Sequence, residues 1–143
     1  MLVSYEVACD LLWHTRHVAV ECNIGSERNS VVLTVDSSGA WHSPTEERPT
    51  LRDCTDIDLA VSPATNTIPI RRLNLEVGQS RDVVAAWLKF PHLALETLSQ
   101  RYTRLDSQRY LYQTSAGFSA DLLVDDLGLI TLYPCGWERV ASV

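Results

Sequence analysis

Residues 54–73 read Cys54-Thr-Asp-Ile-Asp-Leu-Ala-Val-Ser-Pro-Ala-Thr-Asn-Thr-Ile-Pro-Ile-Arg-Arg-Leu73. They decide how the chain is built. The first half, 54–61, alternates: Thr55, Ile57, Leu59 and Val61 fall on one face, Asp56, Asp58 and Ala60 on the other. That is the period of a strand. Pro63 ends it. The run from Thr65 to Leu73 then has the marks of a short helix, with Thr65 or Asn66 as N-cap and Pro69 in the first turn. Ile70 and Leu73, three apart, fall on its buried side.

Outward from this stretch the pattern is dominated by strands. Val3, Tyr5, Val7 and Cys9 share one face of 2–9. Val18, Val20 and Cys22 share one face of 16–23, and Val31, Leu33 and Val35 mark a third strand. Asp10–His14 reads as a bend, Asn23–Asn29 and Ser37–Gly39 as turns, and 43–50 as a polar loop bounded by prolines. Residues 80–90 fit a helix burying Val83, Val84, Trp87 and Leu88, or a strand buried on both faces; the β-rich surroundings favour the strand. Residues 93–104 and 108–114 form a hairpin that, turning at Asp106-Ser107, would set Arg104 opposite Arg109. Phe118, Ala120, Leu122 and Val124 alternate, 129–133 follows the Asp125–Gly128 turn, and a last strand spans Trp137 to Ser142. The count is nine to eleven strands with one or two helices, in one domain over 1–143.

Composition narrows the function. Of 143 residues, 45% are apolar and 21% charged, with 12 basic against 18 acidic side chains and a net charge of -6. A balance this acidic argues against a nucleic-acid backbone or an anionic membrane as main partner. No apolar run approaches the roughly 20 residues of a membrane span, and the N-terminus lacks a signal-peptide pattern. A cytoplasmic protein follows by default, with Cys9, Cys22, Cys54 and Cys135 as reduced thiols. The chain opens almost directly into a strand, as a shortened version of something longer would.

Asp56 and Asp58 project from the same face about 6–7 Å apart. Such a pair suits work on a sugar, as acid and base or as acceptors for hydroxyls. The plain alternative is a solvated face, or one carboxylate paired with Arg71 or Arg72. Cys9, His14, His17 and Cys22 are zinc-ligand types, but strand parity points His17 away from the two thiols. No nucleophile elbow and no glycine-rich phosphate loop occurs, and no motif calls for a cofactor. Trp13, Trp41, Trp87 and Trp137 read first as core aromatics and second as sugar-stacking surfaces.

Asp56-x-Asp-Leu59 followed by Ser62-Pro-x-Thr-Asn66-Thr-x-Pro-Ile-Arg-Arg-Leu73 resembles the bacterial family named Putative glycolipid-binding, formerly a domain of unknown function. Further matching pieces are Tyr5-Glu-Val-Ala-Cys9-Asp-x-x-Trp13-x-Thr-Arg16, Gln100-Arg-Tyr-Thr103 and Val124-Asp-x-x-Gly128-Leu-Ile-x-x-Tyr133-Pro134. The resemblance implies a mainly β fold: a large curved antiparallel β-sheet, or β-roll, wrapped around a single short α-helix and assembled as a homodimer. It also implies an acidic pocket holding a glycolipid, a remote likeness to lipoprotein-carrier folds, and no established reaction. Two departures stand out: members usually begin several strands earlier, and Ala64 stands where an aromatic residue is expected, a change that would widen the pocket or loosen its packing.

The combined expectation is a protein that binds a sugar-bearing or amphipathic ligand. Asp56 and Asp58 would accept from hydroxyls, Asn66 would orient the turn or touch the ligand, and Arg71, Arg72 and Arg104 would donate. Gln100 and Tyr102, on one strand face, would line the same cavity, with apolar concave-face residues taking the acyl portion. Hydrolysis or transfer of a glycosyl or acyl group by Asp56 and Asp58 is the enzymatic alternative. A dimeric partner protein whose polar stretch only braces the sheet is the third reading.

Overall fold

A computed structural model describes residues 1–134 and 136–141. Cys135 and Ser142, the expected end of the last strand, lie outside the described residues. Four strands, β1 (Leu2–Cys9), β2 (Thr15–Ile24), β3 (Glu27–Val35) and β4 (Trp41–His42), form an antiparallel sheet in chain order. A 3-10 turn, Pro49–Leu51, follows, then β5 (Asp56–Leu59). A second 3-10 turn, Pro63–Asn66, runs into the single helix α1 (Thr67–Leu73). The remaining strands are β6 (Ser80–Lys89), β7 (Ala94–Arg104), β8 (Arg109–Thr114), β9 (Ser119–Val124), β10 (Ile130–Tyr133) and β11 (Trp137–Glu138). With β5 they make a seven-stranded sheet, ordered β11-β10-β9-β8-β7-β6-β5, that curls into a half-barrel. No helix among the described residues is long and apolar enough to cross a membrane.

The mainly β architecture with one short helix is therefore as expected, and four details differ. The sheet is divided in two, because the polar 43–50 segment and the 3-10 turn after it interrupt the pairing between β4 and β5. The larger sheet is not wholly antiparallel: β5 pairs parallel with β6, Asp56 opposite Ala85 and Asp58 opposite Trp87. A parallel pair needs a long crossover, and the segment carrying α1 supplies it. Asn66 stands at the N-cap of α1, as expected, but its side chain makes no capping hydrogen bond. The side-chain cap serves the 3-10 turn ahead of the helix, where Ser62 Oγ accepts from the Ala64 N–H at 3.2 Å. Last, the β7–β8 hairpin sets Arg104 opposite Tyr110, one residue away from the expected register. A one-residue slip moves a side chain to the other face. Arg104 therefore lies over the Tyr110 ring and donates to the Leu75 carbonyl at 2.7 Å, while Arg109 turns towards Asp106 and Asp121.

Two cores meet at the helix. Val18, Val20, Leu33 and Trp41 of the first sheet pack on Ile57, Leu59, Ala86 and Leu88 of the second. The concave face of the half-barrel carries its own cluster, including Leu75, Val83, Tyr102, Tyr112 and Leu122. Ile68 of α1 belongs to the first cluster and Ile70 to the second, so opposite sides of one short helix, about 200° apart, tie the sheets together. Leu73, expected on the buried side, is half-buried against the second cluster. Such a helix is too short to persist alone; burial between two sheets holds it.

Candidate functional site

Parity along β5 sends Ile57 and Leu59 into the inter-sheet core and turns Asp56 and Asp58 towards the concave face. Both aspartates start from the same strand face, yet they end in different surroundings. Asp56 is 1% exposed. Arg72, in the last turn of α1, grips it with both terminal guanidinium nitrogens, Nη2 donating to Oδ2 at 2.8 Å and Nη1 to Oδ1. Thr55 Oγ1 adds a third donor at 3.0 Å. Forked pairing of this kind matches the arginine plane to the carboxylate.

Asp58 has no cation beside it among the described residues. Its Oδ2 accepts from Gln100 Nε2 at 2.6 Å and from the Tyr112 hydroxyl at 3.2 Å, and Gln100 Nε2 also donates to the Tyr112 oxygen at 2.8 Å. Burial pushes the Asp58 carboxyl above the ordinary carboxylate range, while these two hydrogen bonds pull it back down; the nearby Asp56 charge adds a smaller upward push. Burial, with Asp58 second, likewise raises the Tyr112 hydroxyl, and the same two causes push Tyr133 up to about 12. No hydrogen bond to Asp58 Oδ1 occurs among the described residues.

Asp58 opens onto a cavity of about 300 Å³ between the 3-10 turn ahead of α1 and the half-barrel wall. Aromatic side chains form much of that wall: Trp87, Tyr112, Phe118, Tyr133 and Trp137. They are partly stacked, with ring centroids 6.1 Å apart for Tyr112–Phe118 and 5.7 Å for the nearly parallel Phe118–Tyr133. Asn66 borders the cavity, and its Nδ2 donates to the buried Tyr102 hydroxyl at 2.8 Å. Tyr102 also touches Tyr112, centroid to centroid 5.1 Å.

The expected site residues separate into three groups. Asp58 and Asn66 line the cavity. Gln100 and Tyr102 stand one layer behind it, fixing Asp58 and Asn66 in place. Asp56, Arg72 and Arg71 are elsewhere: the first two in their own buried pair, and Arg71 exposed, donating to the Leu127 carbonyl at 2.6 Å and lying over the Trp13 ring at 4.7 Å. Arg104 lies with Arg71 around a separate depression. Ala64 is exposed and outside the Asp58 cavity, so a larger side chain there would not narrow it. Reasoning from sequence missed Tyr112, Phe118 and Tyr133 and ranked Trp87 and Trp137 as core. Tyr112 was within reach of the pattern, since the true register sets it opposite Tyr102.

A family model described as "Putative glycolipid-binding" matches residues 1–139. The chain is similar to a DUF1089 family protein from Pseudomonas aeruginosa whose crystal structure is known. The two are 36% identical and superpose with a TM-score of 0.92, over 96% of this chain and 77% of that one. No curated protein matches.

Proposed function

The chain belongs to the family described as Putative glycolipid-binding, and from that membership and the Asp58 cavity we propose that it holds the polar end of an amphipathic, sugar-bearing ligand. One observation carries this reading: a half-buried carboxylate with an uncommitted oxygen opens onto a cavity lined by aromatic rings. Aromatic faces shield the apolar side of a sugar ring, and the carboxylate accepts from its hydroxyls. At about 300 Å³ the space is at the small end of ligand pockets, which run from about 300 to 1,000 Å³. It suits one ring rather than an oligosaccharide. Asp58 is the contact, Gln100 and Tyr112 position it, and Asn66 borders the entry.

The enzymatic alternative asks for two carboxylates around one reacting bond. Asp56 has both oxygens engaged by Arg72 and does not line the cavity, so binding is the better account. A homodimer belongs to the same proposal on the strength of the family resemblance; sedimentation of the purified chain as a monomer at micromolar concentration would remove it.

Trp87 and Trp137 in the cavity wall provide the readout. Titrating octyl β-D-glucopyranoside below its micellar concentration should change tryptophan emission saturably in the wild type, and Asp58→Asn should weaken that response at least about tenfold, the effect of losing about 1.4 kcal/mol. A linear, unsaturable response shared by both proteins would reject the reading.

A further inference from the structure

Among the described residues, Asp58 is the single ionisable acid or base lining the cavity apart from two tyrosines. The nearby cations are committed elsewhere: Arg72 to Asp56, and Lys89 to Glu96 at 2.7 Å. Both hydrogen bonds that Asp58 receives fall on Oδ2, from the neutral donors Gln100 and Tyr112. A carboxylate drawn out of water needs a proton or an opposite charge to offset its lost hydration. A sugar hydroxyl offers Oδ1 a hydrogen bond and leaves the charge uncompensated. An ammonium group offers both.

The surrounding walls favour the same partner. Trp87, Tyr112, Phe118, Tyr133 and Trp137 present aromatic rings around the carboxylate, and such rings attract cations through the negative potential of their faces, tryptophan most of all. The molecule already does this once at the edge of the same wall, where the Lys89 ammonium lies 4.8 Å from the centroid of Trp87. Two independent features, a half-buried carboxylate with no cation beside it among the described residues and an aromatic-lined cavity, therefore ask for one ligand chemistry.

We propose that the ligand end seated at Asp58 carries an ammonium group, as an amino sugar or other amine-bearing head group does, with an N–H donating to Oδ1 and the charge resting among the aromatic rings. This rests on the reading above that the cavity is the ligand site, and it names what that ligand must carry.

The test compares three probes on the full chain at pH 7 by tryptophan fluorescence: octyl β-D-glucopyranoside, its 2-amino-2-deoxy analogue, and octylammonium. The amino glycoside should bind at least about tenfold more tightly than the neutral one. Asp58→Asn should remove that preference, while Asp82→Asn, which deletes an exposed charge on the outer surface, should keep it. Near-ultraviolet circular dichroism checks that both variants are folded, and Tyr112→Phe gives a second route: it should weaken amine binding without abolishing the preference. Equal affinity for both glycosides overturns the proposal and leaves the glycoside reading standing. A preference that survives Asp58→Asn assigns it to the general acidity of the chain and also overturns it. Binding of octylammonium alone supports the ammonium site and rejects the glycoside reading; binding of none of the three rejects both.

Discussion

Asp56 and Asp58 are two residues apart on one strand, face the same way, and have opposite duties. Asp56 is closed off by a bidentate arginine and a threonine hydroxyl; Asp58 is held by neutral donors and opens onto a cavity. The first is a bolt between β5 and the last turn of α1. The second is a carboxyl group kept available. What separates them is the helix. Arg72 and Arg71 are neighbours, about 100° apart around the helix axis, and only Arg72 faces the strand. It reaches the aspartate beneath the helix end and leaves the other, nearer the helix start, without a cation among the described residues.

The largest effect should come from breaking the bolt. Arg72→Ala leaves the Asp56 carboxylate buried with the Thr55 hydroxyl but no cation, and stability should fall by about 3–5 kcal/mol in denaturant unfolding. A loss under 1 kcal/mol would mean that Asp56 has another partner. Second is the layer behind the cavity. Tyr102→Phe removes the acceptor of the Asn66 amide in a buried setting and should cost about 1–3 kcal/mol by the same assay; Asn66→Ala together with Tyr102→Phe should cost less than the sum of the two single changes.

The third prediction concerns pH. The Asp58 carboxyl binds its proton more tightly folded than unfolded, so the native state holds the extra proton between the unfolded and folded pKa values. Stability from this group is therefore full below about 4 and is lost as pH rises through the raised folded value, at most about 1.4 kcal/mol per pH unit. Asp58→Asn should flatten that part of the stability–pH curve and leave the protein at least as stable as wild type at pH 7. An unaltered slope would show that Asp58 titrates as an ordinary exposed carboxylate. Smallest of all is Arg71→Ala, which gives up a surface contact with Trp13; it should cost less than about 1 kcal/mol and leave ligand affinity unchanged. A drop in affinity would place Arg71 at the site after all.

Much of this molecule can be read from its sequence, and the limits are instructive. Period-two alternation located β1, β2 and β9 closely and the second half of β3, whose first residues, Glu27–Asn29, read as a turn but pair with β2, and Pro63 with the TNTIPIRRL run located the helix. Those signals are local, and local patterns survive translation into structure. Pairing is not local. The alternation of 54–61 reads alike in a parallel or an antiparallel sheet, so the parallel β5–β6 pair was invisible, as was the division into two sheets. The hairpin register was misplaced by one residue, which was enough to hide Tyr112 from the site and bring two arginines falsely together. Parity correctly put the two aspartates on one face. It had no means of saying which of them an arginine two elements further on would neutralise, because that depends on helix phase and on where the helix lies across the sheet. A pairing of one carboxylate with Arg71 or Arg72 was foreseeable; that it is Asp56 with Arg72, leaving Asp58 to the cavity, took the structure to decide.

The central claim is that Asp58, and not Asp56, meets the ligand. Native mass spectrometry of the purified wild-type chain beside Asp58→Asn, followed by solvent extraction of each, tests it most directly. The account predicts an amphipathic molecule that co-purifies with the wild type and is depleted from the folded variant. Equal retention of the same molecule by both proteins would contradict it.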